Sequence, residues 1–107
     1  VKSDHPPDEK GLKGMIPDME AAHVNMVISA HNHNYQRFAP KNGITYIISG
    51  LGGEGPYPVG SNCSGCPAVA KTYNSKFGTF FGQTSSSSIA CKFVAVGGAV
   101  IDQFSVT

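Results

Sequence analysis

Charge is scarce in this sequence. Only 14% of residues are charged, and 8 Lys and Arg stand against 7 Asp and Glu for a formal net charge of +1. With no basic run, the electrostatic footprint of a nucleic-acid binder is missing. Long apolar runs are missing as well, and none approaches the ~20 residues of a membrane-crossing helix. Neither nucleic acid nor membrane is therefore expected among the partners. No initiator Met and no basic, hydrophobic signal segment opens the chain, and Val1-Lys2-Ser3-Asp4-His5 reads as the interior of a longer polypeptide. Internal repeats are absent. What is present is 107 residues, 40% of them hydrophobic, with 13 Gly and 7 Pro. That composition describes one small, turn-rich domain with enough aliphatic side chains for a core.

The three cysteines, Cys63, Cys66 and Cys91, cannot all pair within one chain. Cys63 and Cys66 lie in Ser61-Asn62-Cys63-Ser64-Gly65-Cys66-Pro67, a loop-like context. A redox dithiol belongs at a strand-to-helix junction, and a zinc knuckle needs a second ligand pair. Neither is visible, so the pair is read as a short-loop disulfide or as two free thiols. Cys91 alternates with Ile89 and Phe93 and is expected to be a buried apolar filler. Low charge, a Ser/Gly/Thr-rich tail and the sequon Asn62-Cys63-Ser64 point to a secreted or extracytoplasmic location.

Residues 14–23 predict a short helix with Pro17 in its first turn. Its apolar positions Met15, Ile16, Met19 and Ala22 predict one buried face. Val24 to Ser29 is a short, β-branched apolar run, expected to be a strand buried on both faces. Ala30 to Pro40 is polar and irregular, and is expected to be a loop. Asn42-Gly43 marks a tight turn, and Ile44 to Ser49 a second strand. A long loop is expected from Tyr57 to about Lys76. Strands at 77–83, 89–96 and 100–106, with turns at Ser85–Ser88 and Gly97-Gly98, predict an antiparallel meander.

The segment that carries chemistry is Ser29-Ala30-His31-Asn32-His33-Asn34-Tyr35-Gln36-Arg37. It follows a strand directly, at the carboxyl edge where open α/β sheets place their ligand sites. If it stays extended, His31 and His33 point the same way with Cα atoms roughly 6–7 Å apart. The two imidazoles then converge on one metal, or each holds one of two ions. Asn32, Asn34 and Tyr35 would support them from behind. Arg37 offers a bidentate grip on an anion, such as a phosphate, or on a neighbouring carboxylate. The plain alternative is a polar loop with two surface histidines. His23 ends the helix and is expected to interact with its C-terminus, a structural role.

Val24 to Phe38, with Ala30-His31-Asn32-His33-Asn34-Tyr35-Gln36-Arg37 at its heart, resembles the last metal-binding motif of the calcineurin-like metallophosphoesterases. The nearest likeness is to their purple acid phosphatase branch. The strand and glycine loop Asn42 to Gly53, Phe77-Gly78, and the closing residues 98–106 are similar to later parts of the same catalytic domain. The resemblance implies that residues 1–107 are the C-terminal half of a single α/β metallophosphoesterase domain, an αββα sandwich ending in a strand-rich meander. It implies hydrolysis of phosphate esters by a metal-bound hydroxide, with two metal ions (Fe, Zn or Mn). By position in the motif, His31 would bind the second metal and His33 the first; Arg37 is expected to bind the phosphate by its charge and fork geometry.

The departures from that pattern are specific. The earlier Asp-x-His, Gly-Asp-x-x-Tyr and Gly-Asn-His motifs are absent, and Ala30 replaces a glycine. Asp4-His5-Pro6-Pro7 resembles a His-His-Pro-Pro motif with Asp4 on the ligand position. Either Asp4 supplies a carboxylate, or His5 shifts in, or the site is degenerate. Two functions follow as expectations. The first is the C-terminal portion of a metal-dependent phosphoesterase, inactive by itself and completed by the upstream half of the domain or a partner chain. The second is a non-catalytic structural or assembly module that keeps the scaffold. A mononuclear His-x-His zinc site ranks third.

Overall fold

Pro17 fixes where the helix begins. It occupies the first turn of α1 (Ile16–Ala21), where its missing N–H costs nothing, and a 3-10 turn at Leu12–Met15 leads into it. The computed structural model describes residues 12–60 and 64–107. Seven strands follow α1: β1 (Met26–Ser29), β2 (Tyr35–Phe38), β3 (Thr45–Ser49), β4 (Val69–Tyr73), β5 (Gly78–Thr84), β6 (Ile89–Ala95) and β7 (Val100–Val106). They form a four-stranded sheet in the order β1-β3-β2-β4 and a three-stranded sheet in the order β5-β6-β7. The chain is thus an α/β-type, strand-rich unit of two sheets and one short helix, consistent with a fragment of a larger sandwich.

The first sheet is mixed. β1 runs parallel to β3, and β2 runs antiparallel to both β3 and β4. β2 and β3 are joined by the Asn42-Gly43 turn. Asn42 and Gly43 both have left-handed φ values, 50° and 82°, and Lys41 and Ile44 exchange two backbone hydrogen bonds of 3.0 Å across it. That is the primed turn whose twist matches a β-hairpin, and Asn-Gly is the pair that adopts it most readily. The second sheet is the expected antiparallel meander, with β5 paired to β6 and β6 to β7 along their lengths.

The core lies where the sheets meet. Tyr35 and Ile47 from the first sheet, Leu51 just beyond it and Phe93 from the meander form one buried cluster. The Tyr35 and Phe93 rings stack at 4.4 Å. Met26 of β1 brings its sulfur to 4.0 Å from the Cys91 sulfur of β6.

Four expectations are corrected. Ala30 to Pro40 is not all loop, because Tyr35–Phe38 is a central strand. Its polar residues Gln36 and Arg37 are bonded rather than solvated, which hid the strand from a hydrophobicity reading. The expected Tyr57–Lys76 loop contains β4, which pairs its backbone to β2 while Val69 to Thr72 stay exposed. A strand with no buried face has no alternation to detect. β1 is not buried on both faces. It lies at the sheet edge, half-buried at Met26 and Val27 and exposed at Ile28 and Ser29. The helix is shorter than expected and contains no buried residue, with Met15 and Ala22 exposed and Ile16 and Met19 half-buried.

Candidate functional site

Because β1 and β3 are parallel, their carboxyl ends, Ser29 and Ser49, lie at the same sheet edge. The His31–Asn34 segment leaves one end, and the Gly50–Pro58 segment leaves the other. His31 takes a left-handed φ of 74°, and residues 31–34 are a series of bends. The two histidines are therefore not alternate positions of one extended run, which corrects the geometry expected from their spacing. His31 is exposed and His33 half-buried.

The two segments are stitched together by hydrogen bonds. The Asn34 N–H donates to the Asn32 carbonyl at 2.7 Å, and the Gly50 N–H to the Asn34 carbonyl at 3.0 Å. The Tyr57 N–H donates to the His33 carbonyl at 2.7 Å. The His33 ring stacks on Tyr57 with centroids 4.0 Å apart, and its Nδ1 lies 3.0 Å from the Gly55 carbonyl. A carbonyl only accepts, so Nδ1 is the donor in this contact, and in the neutral ring that leaves the lone pair on Nε2. Asn34 is fully buried, donating to the Pro58 carbonyl and accepting from the Gln36 amide at 2.9 Å. Asn32 and Asn34 thus hold the loop in shape.

Gly50 is dictated by this stitching. A Cβ built there would sit 1.8 Å from the Asn32 carbonyl oxygen, so no side chain fits without moving backbone.

Arg37 takes the carboxylate alternative. Its Nε donates to Asp102 Oδ2 at 2.7 Å, and a terminal nitrogen donates to Oδ1 at 3.1 Å. The Tyr35 hydroxyl donates to the same Oδ2 at 2.8 Å, and the Arg37 guanidinium lies 4.5 Å over the Phe104 ring. Burial pushes the Asp102 carboxyl up, but the hydrogen bonds from Arg37 and Tyr35 outweigh it and hold the group below its ordinary value. Burial and the bond to Asp102 push the Tyr35 hydroxyl well above the ordinary phenol range. The bond to Asp102 raises Arg37 further. Sequence reasoning did not pair Asp102 with Arg37. The available signal was a lone carboxylate on the same strand face as Val100, Phe104 and Val106.

The metal ligand set can be compared with what a metal needs. Among the described residues, no group of three or more His, Cys, Asp or Glu side chains gathers in one place. His31 and His33 alone are fewer than the three or four protein ligands of a zinc site, and fewer still than two ions require. The described residues therefore do not fit a two-metal centre by themselves. Asp4 and His5 lie outside the described residues, as does Cys63. Cys66 is disulfide-bonded, and Cys91 is free and buried. His23 is exposed with a left-handed φ of 55°, and its backbone N–H donates to the Glu20 carbonyl at 3.1 Å, closing α1 through the main chain. A shallow cleft of about 270 Å³ beside the Gly50–Pro58 segment is lined by Pro56, Ser75, Lys76, Phe77 and Val96, and includes neither histidine.

No family model matches the chain, and no curated protein matches it. The structure is similar to that of GAP50, the anchor in the inner membrane complex of Plasmodium, with a TM-score of 0.75 and 20% sequence identity. The match covers 99% of this chain and 34% of GAP50, so the chain spans about a third of that protein's length. Membership of the purple acid phosphatase-like branch, expected from the His31–Arg37 motif, is thereby corrected: the structure matched is an anchor's, and the motif brings no family match with it. What the likeness establishes is the fold.

Proposed function

We propose that this chain is a non-catalytic structural or assembly module, which completes its first sheet on the upstream half of a larger domain or on a partner chain. The observation that carries the reading is the contrast between the two edges of that sheet. β4, at one edge, has Lys71 and a register irregularity opposite Arg37 and Phe38, two devices that discourage further pairing. β1, at the other, is Met-Val-Ile-Ser, with no charge, no proline and Ile28 50% exposed. An unguarded apolar edge is a pairing surface. The likeness to an anchor supports the same reading. The disulfide at Cys66 supports a secreted or extracytoplasmic location.

A second reading keeps His31, His33 and Arg37 in a centre that hydrolyses phosphate esters with two ions among Fe, Zn and Mn. Its support is His33, whose Nδ1 is held by a carbonyl in the manner of metal-binding histidines, leaving Nε2 to ligate. Against it, Arg37 is already engaged by Asp102.

One sample decides between them. With and without an upstream half, the chain is assayed on an aryl phosphate with each metal, and hydrogen exchange is followed at Met26–Ser29. The module reading expects no turnover, and β1 amides that exchange quickly alone and become protected on assembly. Metal-dependent turnover lost on His33→Ala would replace it with the second reading.

A further inference from the structure

The Asn42-Gly43 turn does more than reverse the chain. Asn42 is exposed, and its side-chain amide donates to Glu20 Oε1 at 2.8 Å, tying the last turn of α1 to the β2–β3 hairpin. Because α1 contains no buried residue, a polar tie of this kind matters to where it sits. Gly43 has no neighbour within 4 Å of where a Cβ would lie, and it is exposed, so no side chain crowds this position of the turn. Asn42 is also the one asparagine in the sequence that a glycine follows.

We propose that Asn42 is a site of spontaneous deamidation, and that its conversion releases α1 from the hairpin. The Gly43 backbone nitrogen attacks Cγ of Asn42, forming a new C–N bond and closing a five-membered imide. The Cγ–Nδ2 bond breaks, and the amide nitrogen leaves as ammonia, carrying the proton lost by Gly43. Water then opens either imide carbonyl, giving aspartate or isoaspartate. No oxidant or reductant is required. In aspartate the donor facing Glu20 has become a second carboxylate, so a hydrogen bond is replaced by like-charge repulsion; in isoaspartate Cγ joins the backbone and the new carboxylate stands on Cα, so the donor is lost there as well. Isoaspartate also lengthens the backbone within a two-residue turn whose geometry sets the β2–β3 register.

The test ages the full chain in mildly alkaline buffer and maps its peptides by mass spectrometry, with hydrogen exchange at Ile16–Ala21 as the second readout. The peptide holding Asn42 should gain the mass of an amide-to-acid change first, and α1 should lose protection in step. Asn42→Asp should reproduce that loss without ageing. Adding Glu20→Gln to Asn42→Asp should restore protection, since the amide and carboxylate then exchange sides. The proposal is overturned if Asn74, which precedes Ser75, converts while Asn42 remains an amide. Unchanged α1 protection in Asn42→Asp overturns it equally.

Discussion

Arg37 on β2 and Asp102 on β7 join the two sheets through a two-point ion pair, Nε to Oδ2 at 2.7 Å and a terminal nitrogen to Oδ1 at 3.1 Å. The side chains are unequally covered, with Arg37 22% exposed and Asp102 6%. Tyr35 closes the same carboxylate from a third direction.

Arg37→Met should destabilise the chain by about 3 kcal/mol, because it leaves a buried carboxylate without a counter-charge, held by the Tyr35 hydroxyl and the Gln103 backbone alone. Replacing both partners, as Arg37→Met with Asp102→Leu, should recover much of that loss. Urea denaturation of the three proteins checks it. A double variant no more stable than Arg37→Met would mean that the loss comes from packing around Phe104 rather than from the stranded charge.

Acid and alkali should each act through this cluster. Asp102 is held below its unfolded value, so its contribution is full above about pH 3.9 and is lost as pH falls through the lower folded value. Tyr35 is held above its unfolded value, so its contribution is full below about pH 10 and is lost as pH rises beyond that. Thermal melts across pH should show both flanks in the wild type. Tyr35→Phe should shrink the alkaline flank, to which Tyr46 and Cys91, both raised by burial, also contribute, and keep most of the acid one.

Gly50→Ala should cost about 3 kcal/mol, since the added methyl meets the Asn32 carbonyl and backbone must move. The damage should be local as well as global. Tyr57 should separate from His33, which the change in Tyr57 ring chemical shifts would report. Gly52→Ala, where the space is open, serves as the control.

Cys91 should resist thiol reagents in the folded chain and react fully after unfolding. It is 2% exposed, and burial pushes its thiol above the ordinary value, so little thiolate is available to attack. Fast labelling of the native protein would contradict this placement.

The meander was legible in the sequence because its strands carry the alternation that one buried face imposes. Cys91 and Phe93 are buried, and exposed Lys92 separates them, as their spacing predicts. The Asn42-Gly43 hairpin was legible for a local reason, the conformational demand of its turn. β2 and β4 were not legible. Gln36 and Arg37 are covered through hydrogen bonds that involve Asn34 and Asp102, and no window of neighbouring residues contains an ion pair 65 positions long. The His31–Asn34 segment leaves the carboxyl end of β1, as its position after an apolar run implies. Its shape was missed, because the left-handed turn at His31 belongs to a non-glycine residue and depends on its surroundings.

The placement of the inter-sheet contacts bears on how the chain acquires its structure. β5, β6 and β7 follow one another through short turns, so the meander can zip up from contacts near in sequence. The contacts from Tyr35 and Arg37 to Asp102 must instead close loops of 67 and 65 residues. The meander should therefore assemble early, with the other sheet docking onto it in the slower step. Substitutions at Arg37 should then accelerate unfolding far more than they slow folding, and Cys91 would remain open to reagents until that docking is complete.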